Sequence, residues 1–174
     1  TIEVVLTRYP ELESIRDIGL FSFSVWRKNI VKLFGDKLSL DDIEHKMIRG
    51  SGLYEDPRIH FALNCAAIGC PALRPEAYVG TYLDRQLEEA TALFLTDKSR
   101  NYFLDGELYI SSIFDWYKED FEKGWLGINS VCQFLISYKR QVGLSSDSKL
   151  CTQTAETRLN FLEYDWSLNR IVVD

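Results

Sequence analysis

The sequence predicts an α+β fold: a single domain in which antiparallel hairpin elements pack against several helices. Three observations predict it. Short apolar runs flank Gly35-Asp36 and again Asp105-Gly106, and such pairs of runs around a turn dipeptide are hairpin signatures. Longer stretches repeat apolar residues at three- and four-residue spacing, as helices do. Helical and hairpin signals alternate without βαβ regularity or any internal repeat, which argues against a parallel, doubly wound sheet. A chain of 174 residues suits one core, so 1–174 is read as one domain.

The opening "TIEVVLTRYP" places Ile2, Val5, Leu6 and Tyr9 at helical spacing with no capping residue ahead of them, so the chain is read as beginning inside a helix. "YPELESIRDIG" is a proline-punctuated connection. "FSFSVW" alternates apolar and small polar residues, as a short strand does. "NIVKLFGDKLSL" follows as a hairpin about Gly35-Asp36. Ser39, with Asp42 three residues on, begins a helix through Met47 in the manner of a capping box, and Gly50 and Gly52 end it.

In "RPEAYVGTYLDRQLEEATALFLTD", Val79, Leu83, Leu87, Ala90 and Phe94 mark the apolar stripe of the longest helix. "NYFLDGELYI" is the strongest hairpin signal, because Asp-Gly supplies the two positive φ angles of a type I′ turn; Phe103 and Leu108 belong to its strands. "SSIFDWYKEDF" reads as a helix capped by Ser111 or Ser112. "INSVCQFLISYK" is another, with Ile128, Val131, Cys132, Leu135 and Ile136 on one face, which makes Cys132 a core residue. "VGLSSDSKLCTQTAE" is loop-like, and "RLNFLEYDWSLN" is a strand running into an Asp-Trp turn.

Composition removes several function classes. The net charge of −6 comes without the clustered Lys and Arg that displace phosphate counterions, so no nucleic-acid partner is expected. The longest weakly polar run, Phe61 to Leu73, is broken by Asn64, two glycines and Pro71, and is short of the roughly 20 residues of a membrane-spanning helix. No membrane span is expected, and no cofactor-binding signature appears. Four cysteines (Cys65, Cys70, Cys132, Cys151) are too few for a disulfide-dense scaffold but allow two bridges.

The stretch that departs from ordinary scaffold is "IHFALNCAAIGCPAL", Ile59 to Leu73. With only His45 and His60 in the chain, any imidazole base is one of these two. His60 and Cys65 are five apart, which puts them on opposite faces of a strand and roughly 140° apart on a helix. They meet only if the element changes between them: a strand "RIHFAL" with Ile59, Phe61 and Leu63 on its buried face, then Asn64 as N-cap of a single turn. Cys65 would then lie at a helix N-terminus, where exposed N–H groups and the dipole lower a thiol pKa. That arrangement would be a thiol hydrolase or transferase site: Cys65 as nucleophile, His60 or His45 as base, Asp165 or Asn64 as orienting group.

Three other readings stay open. Cys65 is a small core residue beside Ala62, Ala66 and Ala67, with His60 hydrogen-bonded in the core. Or His60, Cys65 and Cys70, completed by His45 or water, hold zinc. Or Cys65 and Cys70 form a disulfide across the Gly69-Cys70-Pro71 turn. Asp165, in "DWSLN", is equally a turn former. The aromatic run Phe114, Trp116, Tyr117 and Phe121 divides between core and a partly exposed groove wall.

Taken in order, "LSLDDIEH", "DPRIHFALNCAAIGCPALRPEAY", "LYISSIFDWYKEDF" and "LEYDWSLN" resemble the domain-of-unknown-function family 547 of bacteria and plants over essentially the whole chain. The resemblance implies no activity. It does imply a periplasmic or secreted location, since many bacterial members look exported. It also implies an upstream, Asn- and aromatic-rich helical segment that this chain lacks. An envelope protein contacting a small molecule, peptide or glycan is the second function class, with the same segment serving as core.

Overall fold

The computed structural model describes residues 12–17, 26–145 and 159–170. The expected opening helix, most of the "FSFSVW" strand and most of the Ser/Thr-rich loop lie outside them. The architecture is α+β, and the chain divides into two compact units: one of Thr1–Glu55, Cys65–Ile68 and Asp165–Asp174, the other of Asp56–Asn64 and Gly69–Tyr164.

In the first unit, β1 (Val31–Leu33) and β2 (Asp36–Leu38) form an antiparallel hairpin. Its turn is one residue earlier than expected, at Phe34-Gly35, since Leu33 pairs with Asp36. Both turn residues have positive φ, 52° and 91°. Ser39 and Asp42 make the reciprocal capping box: Asp42 N donates to Ser39 Oγ at 3.0 Å, and Ser39 N to Asp42 Oδ2 at 3.0 Å. The helix they open, Asp42–Arg49, is of the wide π type. Its carboxylate at Asp42 is held well below the usual range by hydrogen bonds from Lys46 and Ser39.

Three separate segments close this unit. Ser14 bridges Ser167, and Ala67 bridges Leu168, both antiparallel. Leu168 N donates to Glu13 O and Asn169 N to Ala66 O, each at 2.8 Å. Ile15 and Ala67 are fully buried there, and the Arg16 guanidinium lies 4.0 Å over the Trp166 ring. Short segments of little regular structure thus satisfy one another's backbone groups, as buried chain must.

The second unit holds the larger core. Its longest helix is α1 (Leu83–Thr96), which begins after a 3₁₀ turn at Gly80–Tyr82. Leu87 and Phe94 of the expected stripe are buried; Val79 precedes the helix and is 46% exposed, and the buried face runs instead through Gln86, Thr91 and Leu95. Next come β3 (Tyr102–Leu104) and β4 (Glu107–Ser111), with Phe103 paired to Leu108 and the turn at Asp105-Gly106 with φ of 51° and 83°. This is the type I′ hairpin that the dipeptide predicts.

Short helices α2 (Ile113–Trp116), α3 (Lys118–Phe121), α4 (Val131–Ser137) and α5 (Lys139–Val142) follow. Ser130 caps α4 by accepting from Gln133 N. Then β5 (Leu159–Leu162) pairs with β4 in parallel, so the three-stranded sheet is mixed rather than antiparallel throughout. A strand arriving from a distant segment is not bound to the hairpin's direction. Phe61, Phe94, Phe114, Phe121 and Phe134 form the centre of the core with Leu108, Ile110 and Leu135. No described helix is long and apolar enough to cross a membrane.

Candidate functional site

Residues 57–61 are not a strand. Asp56 accepts from Arg58 N at 3.0 Å, Pro57 takes the first helical position, and Pro57–Phe61 forms a 3₁₀ helix. Asp-Pro is a helix-start signal, because the carboxylate satisfies an orphan N–H and proline has none to lose. The alternation of "RIHFAL" points to a strand instead and assigns the faces wrongly. At three residues per turn, Arg58 and Phe61 share one direction, and Pro57 and His60 another. All four are buried, whereas Ile59 and Leu63 are only half-buried.

His60 is therefore a core residue. Its Nε2 lies 2.8 Å from Asp120 Oδ2, with the two side chains 1% and 8% exposed. Tyr117 stacks on the imidazole at a centroid distance of 3.9 Å and 19° between planes, and Phe121 packs at 6.0 Å. Asp120 also receives Lys123 Nζ at 2.8 Å on Oδ1. The carboxylate only accepts, so Nε2 carries a proton and donates it to Asp120. Pro57 and Asp56 turn the chain so that His60 faces α3, and the α2–α3 segment supplies both the ring that covers it and the carboxylate that binds it.

The same 3₁₀ helix carries a buried cation. Arg58, 6% exposed, donates through Nη2 to Asp56 Oδ2 and Asp84 Oδ1, each at 2.7 Å, and lies 3.3 Å from Glu88 Oε2 through Nη1. Its guanidinium is 4.6 Å from the Trp125 ring centroid. Burial works against the charge, but the hydrogen bonds from Arg58 to Asp56 and Asp84 outweigh it and keep the group more basic than usual. Tyr138 OH donates to Glu88 Oε2 at 2.5 Å, and burial, then that bond, raises its pKa. The cluster ties the 3₁₀ helix to α1, which is the arrangement a buried charge requires.

The catalytic-thiol reading needs two features that differ here. Cys65 is not in the first turn of a helix: residues 63–65 are irregular, Ala66 has φ 68°, and Ala67 enters the bridge to Leu168. Cys65 therefore lacks the helix-start position that the reading assumes. Cys65, Cys70 and Cys132 are also all disulfide-bonded, and a disulfide sulfur carries no thiolate. The same bonds remove Cys65 and Cys70 from the zinc reading. Among the described residues no group of three or more His, Cys, Asp or Glu is placed to hold a metal ion.

Asn64 does not cap a turn; its Nδ2 donates to Pro71 O at 2.7 Å and closes the loop. Cys132 packs against the core from α4, partly buried and disulfide-bonded. His45 lies on the surface of the first unit with its side chain 40% exposed, 3.5 Å from Asp41 Oδ1 and 3.8 Å from Glu44 Oε1. Arg49 Nη1 sits 2.8 Å from its Nδ1. Since a guanidinium only donates, Nδ1 is the acceptor there and the proton is on Nε2. Asp165 Oδ1 accepts from Ser167 N at 2.9 Å, the Asx turn expected of its position.

Asp120, Arg58 and Tyr164 do not stand out in the sequence. Asp120 reads there as one more charge on the solvated face of "YKEDF". Only its sequel, Phe121, buried to 1%, indicates that this short helix turns inward. The aromatic run divides as expected in burial: Phe114 and Phe121 are core, Tyr117 half-buried, and Trp116 46% exposed.

A family model described as protein of unknown function, DUF547, matches residues 3–95. No curated protein matches the chain, and no solved structure does.

Proposed function

The chain belongs to the DUF547 family of proteins of unknown function, and from that premise we propose that it is an exported, disulfide-stabilised module that binds or scaffolds rather than catalyses. The observation that carries this reading is the state of the cysteines: Cys65, Cys70 and Cys132 are all in disulfides. Such bonds persist in oxidising compartments and are rare in the reducing cytosol, which favours the periplasm or the cell exterior. The enclosure of His60 by Tyr117, Phe121 and Asp120 supports it further, since an imidazole 3% exposed is positioned as structure. Its ligand is a small molecule, peptide or glycan of the envelope.

Thiol counting tests this. In denaturant without reductant, a maleimide mass tag is expected to add to none of Cys65, Cys70 and Cys132, and after reduction to all three. Reduction is expected to cost about 2–5 kcal/mol of stability per bridge. A Cys65 that labels in the native, unreduced protein faster than a model thiol of pKa about 8.5 overturns the proposal.

A further inference from the structure

At the tip of the β1–β2 hairpin, three locally unfavourable features coincide. Phe34 occupies the first turn position at φ 52°, where Asn, Asp or Gly is cheap and a bulky aromatic is strained. Its ring is 85% exposed. Lys32 and Lys37 stand directly opposite each other in the ladder, both exposed, a like-charge pair that a sheet normally avoids. A locally strained, repulsive and greasy tip is the pattern expected where a contact outside the chain compensates.

The charge along the hairpin and the residues leading into it is mostly positive. Residues 27–38, "RKNIVKLFGDKL", carry Arg27, Lys28, Lys32 and Lys37 against Asp36, a net +3 within a chain whose net charge is −6. Asp41, 3.8 Å from Arg27, offsets part of it. Along the hairpin an apolar ring stands foremost, Asp36 follows the turn, and the lysine pair lies two residues behind the ring, roughly 7 Å back at the rise of a strand. A bilayer presents the matching order, anionic headgroups over hydrocarbon, with amphipathic elements reaching about 5–10 Å into that boundary.

We propose that this hairpin docks on an anionic phospholipid surface, with Phe34 entering the interface and Lys32 and Lys37 meeting lipid phosphates. Lipid phosphate between the two lysines replaces their mutual repulsion by attraction, and burial of the Phe34 ring offsets the strain of its backbone. The contact is peripheral. It rests on the hairpin alone and stands whether or not the module binds a further ligand.

The test is cosedimentation of the full chain with phosphatidylcholine vesicles, with and without phosphatidylglycerol. Binding is expected only to the anionic vesicles, and it weakens as salt rises. Lys32→Gln and Lys37→Gln are each expected to weaken it about fivefold, and Phe34→Gly at least about tenfold. Glycine adopts the turn's φ freely and glutamine removes the repulsion, so all three variants are expected to melt at or above the parent temperature. Loss of binding is then not loss of fold. Equal binding to neutral vesicles, undiminished binding by Phe34→Gly, or no binding at all overturns the proposal. So does a dimer abolished by Phe34→Gly without vesicle binding, which assigns the tip to a second copy of the chain.

Discussion

Tyr164 lies against Gly69 so closely that a Cβ at Gly69 would stand 2.9 Å from the tyrosine ring, and its hydroxyl donates to Cys70 Sγ at 3.2 Å. The ring also packs on Trp116 at 4.8 Å. Two stretches of the family resemblance, "IGCP" and "LEYDW", therefore meet as ring on backbone, and glycine is needed at position 69 for space rather than for a turn.

Gly69→Ala is accordingly expected to destabilise the protein by about 1–3 kcal/mol, the usual cost of overpacking, read as a lower denaturant midpoint at unchanged slope. Tyr164→Leu in the same background is expected to recover part of the loss. A Gly69→Ala variant as stable as the parent would show that the ring moves aside freely.

The His60–Asp120 bond gives a second prediction. Asp120→Ala removes the acceptor of a buried N–H and one partner of Lys123, and is expected to cost on the order of 3 kcal/mol. His60→Phe combined with Asp120→Leu exchanges the pair for apolar groups and is expected to cost less than the two single changes together. Strict additivity in a double-mutant cycle would mean that the two side chains are not coupled.

Alkaline pH supplies a third. Burial raises the phenol pKa of Tyr164, and burial followed by the Glu88 hydrogen bond raises that of Tyr138. A raised folded-state pKa means that the folded protein holds its proton more tightly than the unfolded chain. The stabilisation is complete below the ordinary phenol value of about 10 and is lost as pH climbs above it. Chemical unfolding above pH 10 is expected to show falling stability, with a shallower fall in Tyr138→Phe. An equal slope in parent and variant would refute the assignment to Tyr138.

Local chemistry made several elements legible in the sequence alone. The Asp105-Gly106 turn, the Ser39–Asp42 capping box and the buried positions Leu87 and Phe94 each depend on residues within a few positions of one another. Backbone torsion and hydrogen-bond geometry over that range are set by residue type. The Asp56-Pro57 start is equally local and equally readable; the competing alternation of "RIHFAL" obscures it.

What only the tertiary structure decided was pairing across long separations. That His60 meets Asp120, that Tyr164 covers Gly69, that β5 joins β4 in parallel and that Arg58 reaches Asp84 and Glu88 all join segments 26 or more residues apart. No local propensity encodes such partners. They follow from which faces the aromatic core draws together, and burial then obliges each polar group to find a partner among those it meets. The sequence by itself determined the fold class and the short list of chemically capable residues, because composition and periodicity act locally. The role of His60, base or buried structural residue, turned on a carboxylate sixty positions away.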